Sequence, residues 1–230
     1  MRLLDLFSGA GGAARGYQRA GFHVTGVDLK PQPNYGGDVF LQGNVLEMEP
    51  DEIAANFDAV HASPPCQFGT SLRSAPGTKK DHVNLIPATK LLLQATGLPW
   101  IIENVESKAV LPHMRGSVRL CGSTFGLGVD HYELRRHRLF LSNVLLFCEP
   151  CRHGHGPVIG VYGGHARCRS KRHGGRGTQD VWPGGHLHAA STAMQIDWMT
   201  LAELSEAIPP AYTTYLGHQL ANAIHNRRAA

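Results

Sequence analysis

The 230-residue sequence is poor in charge: Asp, Glu, Lys and Arg together make up 17% of it. So low a charge content argues against a disordered acidic or basic tail protein. Long apolar runs are absent. None reaches the ~18–20 residues that cross a bilayer, which predicts no membrane contact. The opening residues, MRLLDLFSGAGG, carry an acid at Asp5 and lack a sustained apolar segment. The sequence therefore predicts no secretory leader and a cytoplasmic location. Cysteine is scarce and odd in number, at five. A disulfide scaffold is thus not expected, and free thiols, a metal site or a nucleophile remain. Glycine, proline and histidine are plentiful (27, 14 and 14), which points to many loops. An apolar fraction of 42% still suffices for a core, and the length suits one domain, or one domain with a small appended lobe. The net charge of +4 is only a hint of an anionic partner.

Short apolar runs bounded by turn residues alternate with helical patterns. Strands are expected at residues 2–7, 23–28, 57–62 and 99–105, with one or two more over 137–147. Helices are expected at 11–20 and at 81–97, the latter with Asp81 as N-cap and with Pro87 kinking or shifting it. Such alternation predicts an α/β fold with a doubly wound, mostly parallel sheet. Residues 150–179 break the pattern: six Lys or Arg, four His, eight Gly and no acid. They are too polar and glycine-rich for the sheet, so a small inserted lobe is expected over 148–194, between segments 1–147 and 195–230. From Thr200 the chain turns helical again, and Pro210 suits the first position of the last helix.

Four pieces carry chemistry. In the first, DLFSGAGG follows a strand and opens a helix, so Gly9, Gly11 and Gly12 let backbone approach a ligand closely. Asp28 ends the next strand, where ribose hydroxyls bind in dinucleotide folds. This pair suggests a nucleoside-bearing cofactor without identifying it; a glycine-rich turn of no special role fits the loop alone. In the second, Cys66 follows the strand FDAVHA in a proline-stiffened loop, SPPCQ, at the carboxyl edge of the sheet. A lone cysteine is usually a small buried hydrophobe; this polar setting favours reactivity. In the third, Glu103 and Asn104 end the strand PWII, where a buried carboxyl with a raised pKa suits a proton donor and an exposed one merely caps a turn. In the fourth, RRHR, Arg136 and Arg138 fall on one face by strand alternation and suit a phosphate or a polarised carbonyl, or else a solvated edge.

The cations Arg152, Arg167, Arg169, Lys171, Arg172 and Arg176 suit a nucleic-acid backbone, with salt-dependent affinity. Cys148-x2-Cys151 with Cys168 and His173 has the makings of a tetrahedral zinc site, with His153 and His155 as alternative ligands. Reduced surface cysteines and a histidine-rich DNA-contact loop explain the same letters, and no metal is assigned from the sequence.

Taken in order, these pieces resemble the DNA (cytosine-5)-methyltransferase family over about residues 1–147 and 195–225. DLFSGAGG and GVDL resemble its cofactor motifs, PPCQ its nucleophile loop, ENV its glutamate motif, RRHR its paired arginines, and AIPPAYTTYLGHQL its closing motif. The resemblance implies a Rossmann-like fold dependent on S-adenosylmethionine, bound by Phe7, Ser8, Gly9, Gly11, Asp28, Asn44 and Pro65, with S-adenosylhomocysteine as product. Asn44 stands where the family has an acid, and its amide oxygen still accepts a hydrogen bond. Leu134 replaces a common glutamine. The resemblance further implies attack by Cys66 on carbon 6 of a flipped-out cytosine. Glu103 would bind the exocyclic amine and ring nitrogen, and Arg138 the carbonyl oxygen. Arg136 would support the site or a phosphate, and Asn104 would brace the Pro-Cys loop. The partner implied is double-stranded DNA, bound by a monomer, and the compactness resembles phage and prophage members. A tRNA-modifying enzyme of the same fold and a silent DNA-binding relative are the alternatives; the presence together of Cys66, Glu103 and Arg138 argues against the latter.

Overall fold

The computed structural model describes residues 1–66, 83–169 and 182–229. Asp81, Lys171, Arg172, His173 and Arg176, named above, lie outside them. The large sheet holds β1 (Arg2–Leu6), β2 (His23–Asp28), β3 (Val39–Gln42), β4 (Ala59–Ala62), β5 (Trp100–Val105), β6 (Val118–Leu120) and β9 (Arg138–Ser142), in the order β3-β2-β1-β4-β5-β9-β6. The strands β1 to β5 run parallel, and β9 is inserted antiparallel between β5 and β6. The doubly wound, mostly parallel sheet is therefore as expected, with β9 as a single strand ending at Ser142.

Strand alternation divides the core. Leu3, Val24, Ile101 and Phe140 face one side, with Tyr17 of α1 (Gly12–Arg19) and Tyr212, Leu216 and Leu220 of α6 (Pro210–Ala229). Leu4, Val27, Val60, Ile102 and Leu141 face the other, with Ile53 of α2 (Pro50–Asn56) and Leu93 of α3 (Ile86–Ala95). Helix α3 begins at Ile86, which leaves Pro87 in the first turn, where its missing N–H costs nothing; the helix is shifted rather than kinked. Helix α6 likewise opens on Pro210. No helix among the described residues is long and apolar enough to cross a membrane.

A second sheet, β11-β10-β8-β7, combines β10 (Val158–Tyr162) and β11 (His165–Arg169) with β7 (Gly128–Val129) and β8 (Tyr132–Leu134), which precede the arginine strand. Helix α4 (Gly185–Met194) buries Ala189, Ala190, Ala193 and Met194 beside it. Ile159 and Val161 join the apolar cluster of the large sheet.

Candidate active site

The carboxyl edge of the large sheet gathers the chemistry. After β1 the chain turns sharply: Phe7 takes φ 57°, Gly9 φ 49° and Gly11 φ 81°. A non-glycine residue there costs about 1–3 kcal/mol, a strain found most often at functional sites. A Cβ at Gly11 would lie 2.7 Å from the Gly36 nitrogen, so only glycine fits. Asp28 holds this turn. Its Oδ2 accepts from the Gly9 N–H (3.0 Å) and its Oδ1 from the Lys30 N–H (3.1 Å). Ser8 donates its backbone N–H to the Val27 carbonyl (3.1 Å). Asn44 caps a short 3-10 turn: its Oδ1 accepts from Leu46 N–H and its Nδ2 donates to Glu47. One lone pair on that amide oxygen is thus used locally. Pro65 is half-buried beside Cys66.

Parallel register then builds a polar row through the apolar sheet. Asp5 pairs with Gly26 and with His61, and His61 with Ile101, two residues before Glu103. With a period of two, Asp5, His61 and Glu103 share one face. Asp5 is fully buried and neither of its carboxyl oxygens has a partner. Burial, then the charges of Asp28 and Glu103, push its pKa well up. The Tyr35 hydroxyl beside the glycine loop is likewise buried and unpartnered. His61 is held neutral, its pKa lowered to about 3 by burial. It joins the Tyr17 hydroxyl (2.9 Å) to the Ser63 hydroxyl (2.9 Å), and Ser63 in turn helps to lower the Glu103 pKa.

Glu103 and Arg138 form a buried ion pair, Nε to Oε1 2.8 Å, without the alignment of a hydrogen bond. Burial raises the Glu103 carboxyl, while Arg138 and Arg136 pull it back. Asn104 donates its side-chain N–H to the Pro64 carbonyl (2.9 Å), which ties the end of β5 to the proline loop. Cys66, half-buried in that loop, feels both partners. Burial and Glu103 raise its thiol pKa, and Arg138 opposes them.

Arg136 departs from the phosphate alternative. It is fully buried, donating to the carbonyls of Val161 (2.6 Å) and Ser205 (2.7 Å) and lying 5.3 Å from the Tyr162 ring. Tyr212 donates to its carbonyl (2.6 Å). Arg136 therefore joins large sheet, lobe and α5 (Leu201–Glu206), and a guanidinium so enclosed reaches no phosphate. Among the lobe cations, Arg152 is exposed and paired with Glu149 (3.3 Å), and Arg167 is partly buried. The Arg169 side chain lies outside the described part. The site thus assembles Cys66, Glu103, Arg138 and Asn104 beside the glycine loop and Asp28. Sequence reasoning passed over Asp5, His61, Ser63 and Tyr35. The usable signal was an ionisable residue inside an apolar strand, as in RLLDLF and FDAVHA.

No protein-family profile matches the chain. Over 116 residues it is 38% identical to the Frog virus 3 (isolate Goorha) protein named "Probable DNA (cytosine-5)-methyltransferase", a stretch covering 48% of this chain and 49% of that protein. Over 76 residues it is 34% identical to the type II methyltransferase M1.HphI of Haemophilus parahaemolyticus, 28% of this chain and 20% of that protein. The matches therefore span about half of the first relative and a fifth of the second. Among solved structures, one named as a DNA modification methyltransferase encoded within an E. coli prophage superposes with a TM-score of 0.60 at 13% identity, over 98% of this chain and 99% of that one. The S. pombe Dnmt2 methyltransferase gives 0.60 at 14% identity, over 97% and 99%. The chain thus resembles in sequence one protein named "Probable DNA (cytosine-5)-methyltransferase" and one type II methyltransferase, and shares the Rossmann-like fold of the two solved structures.

Proposed function

We propose that the chain transfers a methyl group from S-adenosylmethionine to carbon 5 of cytosine in double-stranded DNA. One observation carries the reading: a half-buried thiol beside a buried carboxyl–guanidinium pair, at a sheet edge lined with acids. The pocket residues fit the cofactor. S-adenosylmethionine bears a sulfonium and an ammonium, and the unpartnered Asp5 carboxyl, with Asp28 and Glu103 nearby, supplies the opposite sign. When bound, the cofactor supplies an electrophilic methyl group. Gly9 and Gly11 admit it close to backbone, Asp28 takes its ribose, and Phe7, Ser8, Asn44 and Pro65 line it.

Cys66 attacks carbon 6 of the extruded cytosine, which makes carbon 5 nucleophilic. Glu103, fixed by the Arg138 guanidinium, accepts from the exocyclic amine and stabilises the positive charge that develops at ring nitrogen 3 as it takes up a proton. Arg138 directs N–H groups at the carbonyl oxygen while its ion pair fixes Glu103. Asn104 keeps the Cys66 loop in place through Pro64. Once carbon 5 carries the methyl group, its proton passes to solvent water, the carbon 5–carbon 6 double bond re-forms and the bond from carbon 6 to the Cys66 sulfur breaks. The lobe cations Arg152, Arg167, Arg169, Lys171, Arg172 and Arg176 bind phosphates. A trapping experiment tests this. Duplex DNA carrying 5-fluorocytosine, with cofactor, is expected to give a denaturant-stable adduct on Cys66, because fluorine cannot leave as a proton does. Adduct formation undiminished in Cys66→Ala would remove Cys66 from the mechanism.

A further inference from the structure

Beyond the sheet edge, Cys121, His137, Cys151 and His153 point one ligand atom each at a common centre, all four atoms within 4.8 Å of one another. The His137 Nε2 and His153 Nε2 atoms are 3.3 Å apart. Cys121 Sγ lies 3.4 Å from His153 Nε2, and Cys151 Sγ 3.5 Å from His137 Nε2. Tetrahedral zinc with Zn–S about 2.3 Å and Zn–N about 2.05 Å requires N–N and S–N separations of about 3.4 and 3.6 Å. The three measured distances match these values. Both cysteines are free thiols.

The surroundings are those of a ligand set. His137 Nδ1 faces Glu106 Oε2 at 3.2 Å, so its proton sits there and Nε2 offers a lone pair to the centre. The Ser123 hydroxyl donates to Cys121 Sγ (3.3 Å). The segment bearing Cys151 and His153 is fastened by Glu133, whose Oε2 accepts from the Gly154 N–H (2.8 Å) and whose Oε1 pairs with Arg135 (2.8 Å). Without a metal the thiol S–H groups can donate to the imidazole nitrogens at these distances. Once both thiols lose their protons, four lone pairs face one centre, the arrangement that holds a divalent cation.

We propose that Cys121, His137, Cys151 and His153 form a structural zinc site, with both thiols giving their protons to solvent on binding. The ligand set differs from that suggested by the cysteine spacing. Only Cys151 of the C-x2-C pair takes part, and Cys148 is exposed and outside the group. Cys121 follows β6 and His137 precedes β9, whereas Cys151 and His153 lie on the segment leading into β10. The metal would therefore fasten the entry of the lobe to the large sheet, one residue from Arg138.

The test uses the full chain, reduced and stripped of metal by chelation, then titrated with zinc or cobalt(II). About one equivalent is expected to bind, and cobalt is expected to give the intense visible bands of a tetrahedral site with thiolate charge transfer. Cys121→Ser and Cys151→Ser should each weaken binding by at least about ten-fold, as expected for loss of a ligand, and Cys148→Ser should not. A His153→Cys variant guards against loss through misfolding: it should keep the metal and gain charge-transfer intensity from a third thiolate. No cobalt bands from natively folded chain, binding unchanged in Cys121→Ser and Cys151→Ser, or loss confined to Cys148→Ser would each overturn the proposal.

Discussion

Asp5 shows how far a single residue departs from its ordinary chemistry. Burial, and then the charges of Asp28 and Glu103, push its pKa well above the ordinary carboxyl value, which favours the neutral form. A cation placed against it favours the carboxylate, so cofactor binding should release a proton. Calorimetry in buffers of different ionisation enthalpy is expected to show that release, and Asp5→Asn to abolish it. The sign for stability follows. Folding takes up a proton at Asp5 above the unfolded pKa, which costs more as pH rises. Cofactor-free Asp5→Asn should therefore gain stability over wild type increasingly from pH about 4 upwards; a loss at neutral pH would contradict this. Cys66 is also displaced upwards, chiefly by burial. Alkylation of Cys66, followed by peptide mass spectrometry, should rise with pH through a midpoint above that of free cysteine (about 8.5). A lower midpoint would mean a thiolate already formed at rest. The placement of Cys66, Glu103, Asn104 and Arg138 at one sheet edge was legible because motif and strand ends coincide. Asp5 and His61 were not, because their role depends on register between strands far apart in sequence. The enclosure of Arg136, which leaves the supporting alternative, was not legible because its partners, Val161 and Ser205, come from distant segments.

At the scale of elements, α1 and α6 pack by near contact of backbone. A Cβ on Gly16 would lie 2.0 Å from the Thr213 hydroxyl oxygen and 2.3 Å from the Pro210 carbonyl oxygen. Thr213 already donates to the Ala13 carbonyl (2.9 Å), so it has nowhere to retreat. Gly16→Ala gains up to about 1 kcal/mol of helix propensity and meets about 1–3 kcal/mol of overpacking. With backbone as the obstacle, overpacking should win, and the urea midpoint should fall; a raised midpoint would contradict the packing. The elements of the large sheet were legible from apolar runs bounded by turns. Those of the lobe were not. VIGVY is short and sits among glycine and histidine, and α4 starts behind Gly184 and Gly185, both at positive φ. Its buried alanines carry little apolar signal against His186 and His188.

Across the whole molecule, the last forty residues close what the first forty open. The Trp198 indole donates to the Ala10 carbonyl (3.1 Å) and stacks on Arg15 (4.8 Å), which clamps the glycine loop. Tyr212 holds the Arg136 carbonyl while Thr213 holds α1, so one helix sets the arginine segment and the glycine loop in a common frame. The overall architecture was legible from alternating elements, whereas the cross-chain ties were not, since side-chain to carbonyl bonds leave no periodic trace. The central claim is methyl transfer to carbon 5 of cytosine in DNA. It is tested most directly by incubating the chain with unmethylated duplex DNA and isotope-labelled S-adenosylmethionine, then analysing the nucleosides by mass spectrometry. Labelled 5-methylcytosine is expected in the DNA, and its loss in Cys66→Ser with cofactor binding retained. Label at an exocyclic amine, label in tRNA but not in DNA, or full activity in Cys66→Ser would contradict the account.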